Sequence, residues 1–169
     1  MKVSFRPLAW DDLPMLCEWI ARPHVAEWWG APPSLAESRE EFGPLIAEAV
    51  PHRAYIAQHE GAPLGFIQSY VPAECHDEGW WLEENDPGVR GIDQFLADGR
   101  SLGQGLGTAM VRAFVDRLFE DLNVTRVQTD PSPENARAIR CYEKAGFRVA
   151  REVVTPDGAA LLMYCERLP

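Results

Sequence analysis

Hydrophobic and polar residues along this chain follow two different periods. Segments with alternating or β-branched apolar residues predict strands, and segments with apolar residues three or four apart predict amphipathic helices. The predicted strands are residues 3–8, 53–59, 64–71, 91–97, 124–129, 147–154 and 159–166. The predicted helices are residues 11–20, 34–50, 108–122 and 134–144. This interleaving favours one α/β domain.

Turn and cap residues mark the ends of these elements. Ser34 has the position of an N-cap, with Glu37 three residues later as in a capping box. We expect Gly43-Pro44 to break or kink this helix, since proline removes a backbone donor. Residues 60–63 and 155–158 predict tight turns that close two hairpins. Residues 72–90 follow neither period, and we interpret them as a surface excursion around Trp80-Trp81.

Size and composition indicate one soluble domain that covers residues 1–169. The chain has 46% hydrophobic and 25% charged residues, and it contains no apolar run long enough to cross a bilayer. Residues 1–8 alternate like a strand and lack the features of a secretion signal. We therefore expect no membrane association and a cytoplasmic protein, either a monomer or a homodimer.

Charge and cysteine spacing exclude several kinds of partner. The net charge of −10 disfavours nucleic acid and anionic lipid, and it is compatible with a cationic ligand. The four cysteines lack the paired spacing of a zinc site or a disulfide framework, so we expect free thiols. The ligating side chains of residues 75–78 are too close in sequence to converge on one ion, and we predict no metal.

A glycine-rich turn is the first sign of a binding site. Glycines 103, 105 and 107 alternate with other residues immediately before a predicted helix. Glycines expose main-chain N–H groups, and a helix N-terminus attracts anions. The segment therefore predicts a site for a pyrophosphate.

A second motif gives this turn a family context. Asn135, Tyr142 and Gly146-Phe147 follow the turn at the spacing that resembles the GNAT superfamily of N-acetyltransferases. The chain is similar in particular to the aminoglycoside 6'-N-acetyltransferases of that superfamily. Five separate blocks carry this second resemblance: residues 27–30, 79–81, 86–94, 128–133 and 155–158.

The resemblance implies a fold and a cofactor. The fold is a single mixed sheet of about six or seven strands, with splayed central strands and about four flanking helices. The cofactor is acetyl-coenzyme A (acetyl-CoA). Its pantetheine arm would pair with Leu96 and Ala97 and bond to Asn135. The pyrophosphate would bind the main chain of Leu102, Gly103, Gln104, Gly105, Leu106, Gly107 and Thr108. Leu102 stands where the superfamily usually has Gln or Arg, which puts a side-chain contact in doubt.

Acetyl transfer to an amine needs a proton acceptor, an oxyanion donor and a proton for the leaving thiolate. By resemblance, Asp93 is the acceptor; its alternative role is a turn or capping carboxylate. Tyr142 is the general acid, because a phenol with a pKa of about 10 is matched to a thiolate. Its alternative role is that of a core tyrosine. The oxyanion is expected on a main-chain N–H of the strand that contains Leu96.

Carboxylates and an aromatic ring are the candidates for binding a polycationic substrate. The acidic candidates are Glu78, Asp93, Asp130 and Asp157, which would form charge-assisted hydrogen bonds with ammonium groups. Asp130 and Asp157 are also common turn residues, and Glu78 stands where the resemblance places Asp. Trp29 is expected to lie on a sugar face. Alternatively, both tryptophan pairs seal helices onto the sheet.

The sequence thus predicts an aminoglycoside 6'-N-acetyltransferase that works by direct attack of the amine and gives antibiotic resistance. Two alternatives stay open. One is a GNAT acyltransferase for a lysine-type siderophore precursor or another small amine. The other is a non-catalytic module that binds acetyl-CoA or a drug.

Overall fold

Seven strands form one mixed sheet in the computed structural model, which describes residues 1–168. Their order across the sheet is β1-β2-β3-β4-β5-β7-β6. Strand β1 is antiparallel to β2, β4 is parallel to β5, and β7 is antiparallel to both β5 and β6. The bounds are β1 Val3–Pro7, β2 Arg53–His59, β3 Ala62–Tyr70, β4 Val89–Leu96, β5 Arg126–Thr129, β6 Arg148–Thr155 and β7 Gly158–Glu166.

The parallel pair β4 and β5 separates after a short contact. Main-chain pairing extends over three residue pairs, from Val89 with Arg126 to Gly91 with Gln128. One residue further on, the Thr129 hydroxyl donates to the Ile92 carbonyl at 3.3 Å. Strand β4 then continues to Leu96. This is the splay that the sequence resemblance implies, and it carries β4 beyond the last residue that pairs with β5.

Five α-helices occur within residues 1–168, one more than the sequence predicts. The bounds are α1 Leu13–Ile20, α2 Pro23–Trp29, α3 Leu35–Ile46, α4 Leu106–Leu118 and α5 Ala136–Lys144. The additional helix is α2, which starts with Pro23 in its first turn and ends at Gly30 with φ 83°. Val25 is its one fully buried residue, so it lacks the apolar stripe that periodicity detects.

Helix α3 begins as predicted but ends differently. The Ser34 hydroxyl accepts from the Glu37 N–H at 3.2 Å, and the Glu37 carboxylate accepts from the Ser34 N–H at 2.7 Å. The expected break at Gly43-Pro44 is wrong, because the helix continues through Pro44 to Ile46. So close to the end of a helix, proline costs a single backbone hydrogen bond. Gly43 is required by packing instead, since a Cβ there would lie 2.8 Å from Trp10 Cη2.

The chain divides into two compact units, which are described separately. Unit 1 contains residues 1–68 and 94–107, and unit 2 contains residues 69–93 and 108–168. The core of unit 1 includes Leu13, Leu16, Trp19, Phe42, Ile56, Phe66 and Phe95. Buried residues in unit 2 include Met110, Val111, Phe114, Val127, Phe147, Leu162 and Met163. Within residues 1–168, no helix has the length and apolar character needed to cross a membrane.

Candidate active site

The glycine-rich turn has a backbone that only glycine adopts easily. It follows a short 3-10 turn at Gly99–Ser101 and leads into α4. Gly103 has φ 74° and Gly105 has φ 81°, both in the left-handed region. A Cβ on Gly103 would meet no atom within 4 Å, so open space faces this residue. Gln104 Nε2 closes the turn by donating to the Arg100 carbonyl at 2.7 Å.

The start of α4 adds a second favourable feature for an anion. The first N–H groups of any α-helix have no partner inside the helix and lie at the positive end of its dipole. Helix α4 is thirteen residues long and begins at Leu106, directly after the two left-handed glycines. Residues 102–108 therefore fit the pyrophosphate group that the sequence predicts there.

The end of β4 presents main-chain polar groups in a fixed orientation. Ala97 N–H donates to the Leu64 carbonyl of β3 at 3.0 Å. Because successive residues of a strand direct their polar groups to opposite edges, Leu96 directs its N–H and carbonyl away from β3. The Leu96 carbonyl contacts His24 Nε2 at 2.8 Å, and the Ala97 carbonyl accepts from Arg22 Nη1 at 2.6 Å.

Four carboxylates of unit 2 form an acidic cluster, which consists of Glu78, Asp93, Asp130 and Asp157. Asp93 lies two residues beyond Gly91 in β4, and Asp130 lies two residues beyond Gln128 at the end of β5. Since Gly91 and Gln128 are paired, this equal spacing places both carboxylates on one face of the sheet. Burial raises the pKa of Asp130 to about 8, and the charges of Asp93 and Asp157 add to this effect.

Glu78 and Asp157 join the cluster from two loops. Glu78 ends a 3-10 turn, and Gly79 follows with φ 84°. A Cβ on Gly79 would lie 3.8 Å from Cγ of Pro156, the residue before Asp157 in the β6–β7 turn. The pKa of the Cys75 thiol rises to about 11 through burial, with the charges of Glu78 and Asp93 as the next causes. The negative charges of Glu78 and Asp93 thus both lie near enough to the Cys75 thiol to raise its pKa.

Tyr70 and Gln128 belong to this region, and sequence reasoning missed both. The Tyr70 ring lies directly on Gly91, where a Cβ would come within 2.0 Å of Tyr70 Cζ. Burial raises the pKa of Tyr70 well above 10, helped by Asp130 and Asp93, while a hydrogen bond with Gln128 opposes the shift. Gln128 is 1% exposed. The available signal was Gly91, because a glycine inside a strand often marks a close approach.

Helix α5 carries the other two candidates. Asn135 is its N-cap, and its Oδ1 accepts from the Ala138 N–H at 3.1 Å. Asn135 therefore has a structural role at the start of α5, and its contact with a cofactor arm stays a prediction for its Nδ2. Tyr142 is 5% exposed, and its ring lies 5.4 Å from that of Phe147. The residue before it, Cys141, accepts from the Thr108 hydroxyl at 3.7 Å.

The tryptophans differ in their surroundings. The Trp29 ring is packed edge-on against Phe95 at 4.9 Å and Phe66 at 5.8 Å, whereas Trp28 is 39% exposed. Trp29 thus helps to attach α2 to the sheet, and its contact with a sugar stays a prediction. Trp80 and Trp81 contact each other at 5.9 Å, and Trp81 has φ 53°.

All four cysteines are free thiols, as predicted. Within residues 1–168, no group of three or more His, Cys, Asp or Glu side chains is arranged to hold a metal ion.

Comparisons with known proteins agree with these features. A family model described as an acetyltransferase (GNAT) domain matches residues 9–155. The aminoglycoside N(6')-acetyltransferase type 1 of Klebsiella pneumoniae is 53% identical over 168 residues, which is 98% of this chain and 83% of that protein.

Two solved structures of AAC(6')-Ib are similar over nearly their whole length. One contains paromomycin and acetyl-CoA, has a TM-score of 0.94 at 52% identity, and is matched over 99% of this chain and 94% of that one. The other contains coenzyme A and kanamycin, has a TM-score of 0.93 at 52% identity, and is matched over 98% and 95%.

Proposed function

Because this chain belongs to the GNAT family of acetyltransferases, we propose that it transfers the acetyl group of acetyl-CoA to the 6'-amine of an aminoglycoside. Such a reaction neutralises one ammonium group of the drug and so gives antibiotic resistance. The relatives that carry this activity by name match nearly the whole chain.

The observation that carries the proposal is the acidic cluster. It brings four carboxylates together from a strand, a strand end and two loops. Crowded carboxylates repel one another, and burial makes each charge less favourable. A ligand with several ammonium groups removes both penalties, because each ammonium forms a charge-assisted hydrogen bond. An aminoglycoside is such a ligand.

The residues of the chain support acetyl-CoA as the second substrate. When bound, it supplies the acetyl group as a thioester. The N–H groups of residues 103–108 would hold its pyrophosphate, since the left-handed glycines and the start of α4 suit an anion. The end of β4 would hold its pantetheine arm through Leu96 and Ala97.

Three groups of the chain then perform the chemistry. Asp93 Oδ accepts the proton that the attacking amine must lose. The Leu96 N–H, which points away from β3, is the oxyanion donor. The hydroxyl of Tyr142 holds the proton for the departing sulfur. Asp93 precedes Leu96 by three residues on β4, so one strand carries both the base and the oxyanion donor.

Release of free thiol from acetyl-CoA tests this function. We expect turnover with kanamycin, whose product gains one acetyl group by mass spectrometry. Hydroxylysine, the kind of amine that a siderophore acyltransferase uses, should give no release above background. Rapid turnover of hydroxylysine without turnover of kanamycin would contradict the proposal, as would kanamycin binding without any thiol release.

A further inference from the structure

Two consecutive carbonyls at the end of β4 are held by side chains rather than by a neighbouring strand. The carbonyl before them, that of Phe95, faces β3, since a Cβ on Gly65 would come within 2.2 Å of its oxygen. The Leu96 carbonyl contacts His24 Nε2 at 2.8 Å. The Ala97 carbonyl accepts from Arg22 Nη1 at 2.6 Å. Arg22 and His24 therefore fix the peptide groups that contain the Ala97 and Leu96 carbonyls.

Burial explains why these carbonyls need partners. Leu96 is 6% exposed and Ala97 is 5% exposed. A buried carbonyl without a hydrogen bond is costly, and β5 pairs with β4 only as far as Gly91. The side chains of Arg22 and His24 supply the donors that a neighbouring strand supplies elsewhere in a sheet.

His24 also contacts the segment that leads to the glycine-rich turn. A Cβ on Gly99 would lie 3.3 Å from His24 Nδ1, so the imidazole fits tightly against the first residue of the 3-10 turn. One ring thus contacts the end of β4 through Nε2 and the start of the turn through Nδ1. Its position couples the two main-chain segments that the proposed function assigns to acetyl-CoA.

Helix α2 holds both side chains in place. Arg22 is the N-cap residue of α2, and its Nη2 pairs with Glu18 Oε1 at 2.8 Å. At the other end of the helix, Trp29 is packed against Phe95. The helix is therefore anchored at both ends, by Trp29 on Phe95 of β4 and by Arg22 on Ala97, the residue that follows β4.

We propose that Arg22 and His24 are positioning residues for acetyl transfer, which hold the end of β4 so that the Leu96 N–H keeps its orientation toward the oxyanion. This inference rests on the proposed function and deepens it. Neither side chain needs to contact a reacting atom. Their effect acts through the peptide groups of Leu96 and Ala97, and an error of about 1 Å in such a group lowers rates by up to about a hundredfold.

The experiment compares His24→Ala, His24→Gln and Arg22→Ala with two matched controls. Arg53 is as exposed as Arg22, at 35% of its side chain, and it also donates to main-chain carbonyls, those of Val50 and His52. His59 Nδ1 contacts the Lys2 carbonyl at 3.0 Å, as His24 contacts Leu96. Arg53→Ala and His59→Ala therefore remove similar bonds elsewhere in unit 1. For each variant, kcat, the KM for kanamycin, the Kd for coenzyme A and the Tm are measured.

We expect His24→Ala and Arg22→Ala to lower kcat by about tenfold or more, as expected for a misplaced oxyanion donor. The KM for kanamycin should stay within about twofold, since the acidic cluster binds the drug, and the Kd for coenzyme A should weaken by less than kcat falls, since residues 103–108 still bind its pyrophosphate. His24→Gln keeps an N–H donor at a similar reach and should recover most of the rate. Arg53→Ala and His59→Ala should match the loss in Tm and keep the kcat of the parent chain.

Three results would overturn the inference while leaving the proposed function intact. The first is an unchanged kcat in His24→Ala and Arg22→Ala. The second is an equal loss of kcat in the controls, which would make the effect one of general stability. The third is His24→Gln behaving like His24→Ala. If the parent chain itself releases no thiol with kanamycin, the proposed function fails, and the inference fails with it.

Discussion

The segment that we propose to bind acetyl-CoA, residues 96–108 (the cofactor segment), and the acidic cluster offer a ligand different chemical groups. The cofactor segment offers main-chain N–H groups, whose directions are set by two left-handed glycines, a helix start and a strand end. The acidic cluster offers side-chain charges from four separate places. Main-chain groups keep their dipoles whatever the side chain is. The cofactor segment should therefore respond to changes in backbone shape, and the acidic cluster to changes in charge.

The two regions also differ in their effect on the stability of the folded chain. Peptide dipoles at a helix start add no net charge. The acidic cluster places the half-buried carboxylates of Asp93 and Asp130 near each other, and the raised pKa of Asp130 reflects the resulting penalty. A region that destabilises the fold yet serves no packing purpose is typical of a site kept for a ligand.

The largest loss of kcat should come from a change of Asp93, the proposed proton acceptor. We expect Asp93→Asn to lower kcat by about a hundredfold or more, since an amide cannot accept the proton of the amine. Its affinity for coenzyme A, measured by calorimetry, should not change, because the cofactor segment is separate. Asp116→Asn is the control, as Asp116 is exposed on α4. Full turnover by Asp93→Asn would assign the proton to another acceptor.

A methyl group added to the backbone of the cofactor segment should weaken its binding of coenzyme A. Gly103→Ala forces an L-residue into a left-handed conformation, at a cost of about 1–2 kcal/mol, and its methyl group projects into the space that faces the turn. We expect about a tenfold weaker Kd for coenzyme A, with little change in the KM for kanamycin.

Gly61→Ala is the matched control for this variant. Gly61 has φ 80°, and a Cβ there also meets no atom within 4 Å, but it lies in the β2–β3 turn. Both variants should lose similar stability in thermal unfolding. If Gly61→Ala weakens coenzyme A binding as much as Gly103→Ala, the glycine-rich turn is not the pyrophosphate site.

Because the acidic cluster disfavours ionised Asp130, the stability of the folded chain should depend on pH. The pKa of Asp130 is about 8 in the folded chain, and an unfolded aspartate has a pKa of about 4. Between these values the folded chain keeps a proton that the unfolded chain releases, so the free energy of unfolding falls as pH rises. Asp130→Asn removes this loss.

We therefore expect the Tm of Asp130→Asn, relative to the parent chain, to increase by at least about 3 °C between about pH 4.5 and pH 8. The N–H of Asn123 lowers the pKa of Asp121, so this carboxylate is ionised in both the folded and the unfolded chain over this range, and Asp121→Asn, as the control, should show a constant difference in Tm. A constant difference in Tm for Asp130→Asn across this range would mean that Asp130 ionises normally.

The smallest effect should come from the rim of the acidic cluster. Glu78 is exposed, and an exposed ion pair contributes about 0.2–1 kcal/mol. Glu78→Gln should raise the KM for kanamycin by about twofold to fivefold and leave kcat unchanged. Asp77→Asn, one residue earlier in the same turn, is the control and should have no effect. Equal effects of the two variants would show that only the overall negative charge matters.

Prediction from sequence succeeded best where a local pattern determines the structure. The capping box of Ser34 and Glu37 fixed the start of α3, and the alternate glycines marked the turn before α4. Helix α2 was missed because seven residues with one buried side chain leave no periodic signal. The packing of Tyr70 on Gly91 was missed because it depends on two strands far apart in sequence.

For the candidate site, motif resemblance named candidate residues but gave no information about their environments. Asp130 and Asp157 look like ordinary turn residues in the sequence. Their common neighbourhood with Asp93 arises from the parallel pairing of β4 and β5 and from the β6–β7 hairpin, which no local window contains. The N-cap bond of Asn135 was also missed, because the predicted helix began at residue 134 whereas α5 begins after Asn135.

The position of the acetyl group on the product tests the central claim most directly. Kanamycin turned over with acetyl-CoA should carry a single acetyl group on its 6'-nitrogen, as assigned by NMR. An otherwise identical aminoglycoside with a hydroxyl at the 6' position should give no product. Acetylation of any other nitrogen, or equal turnover of the 6'-hydroxyl compound, would contradict the account.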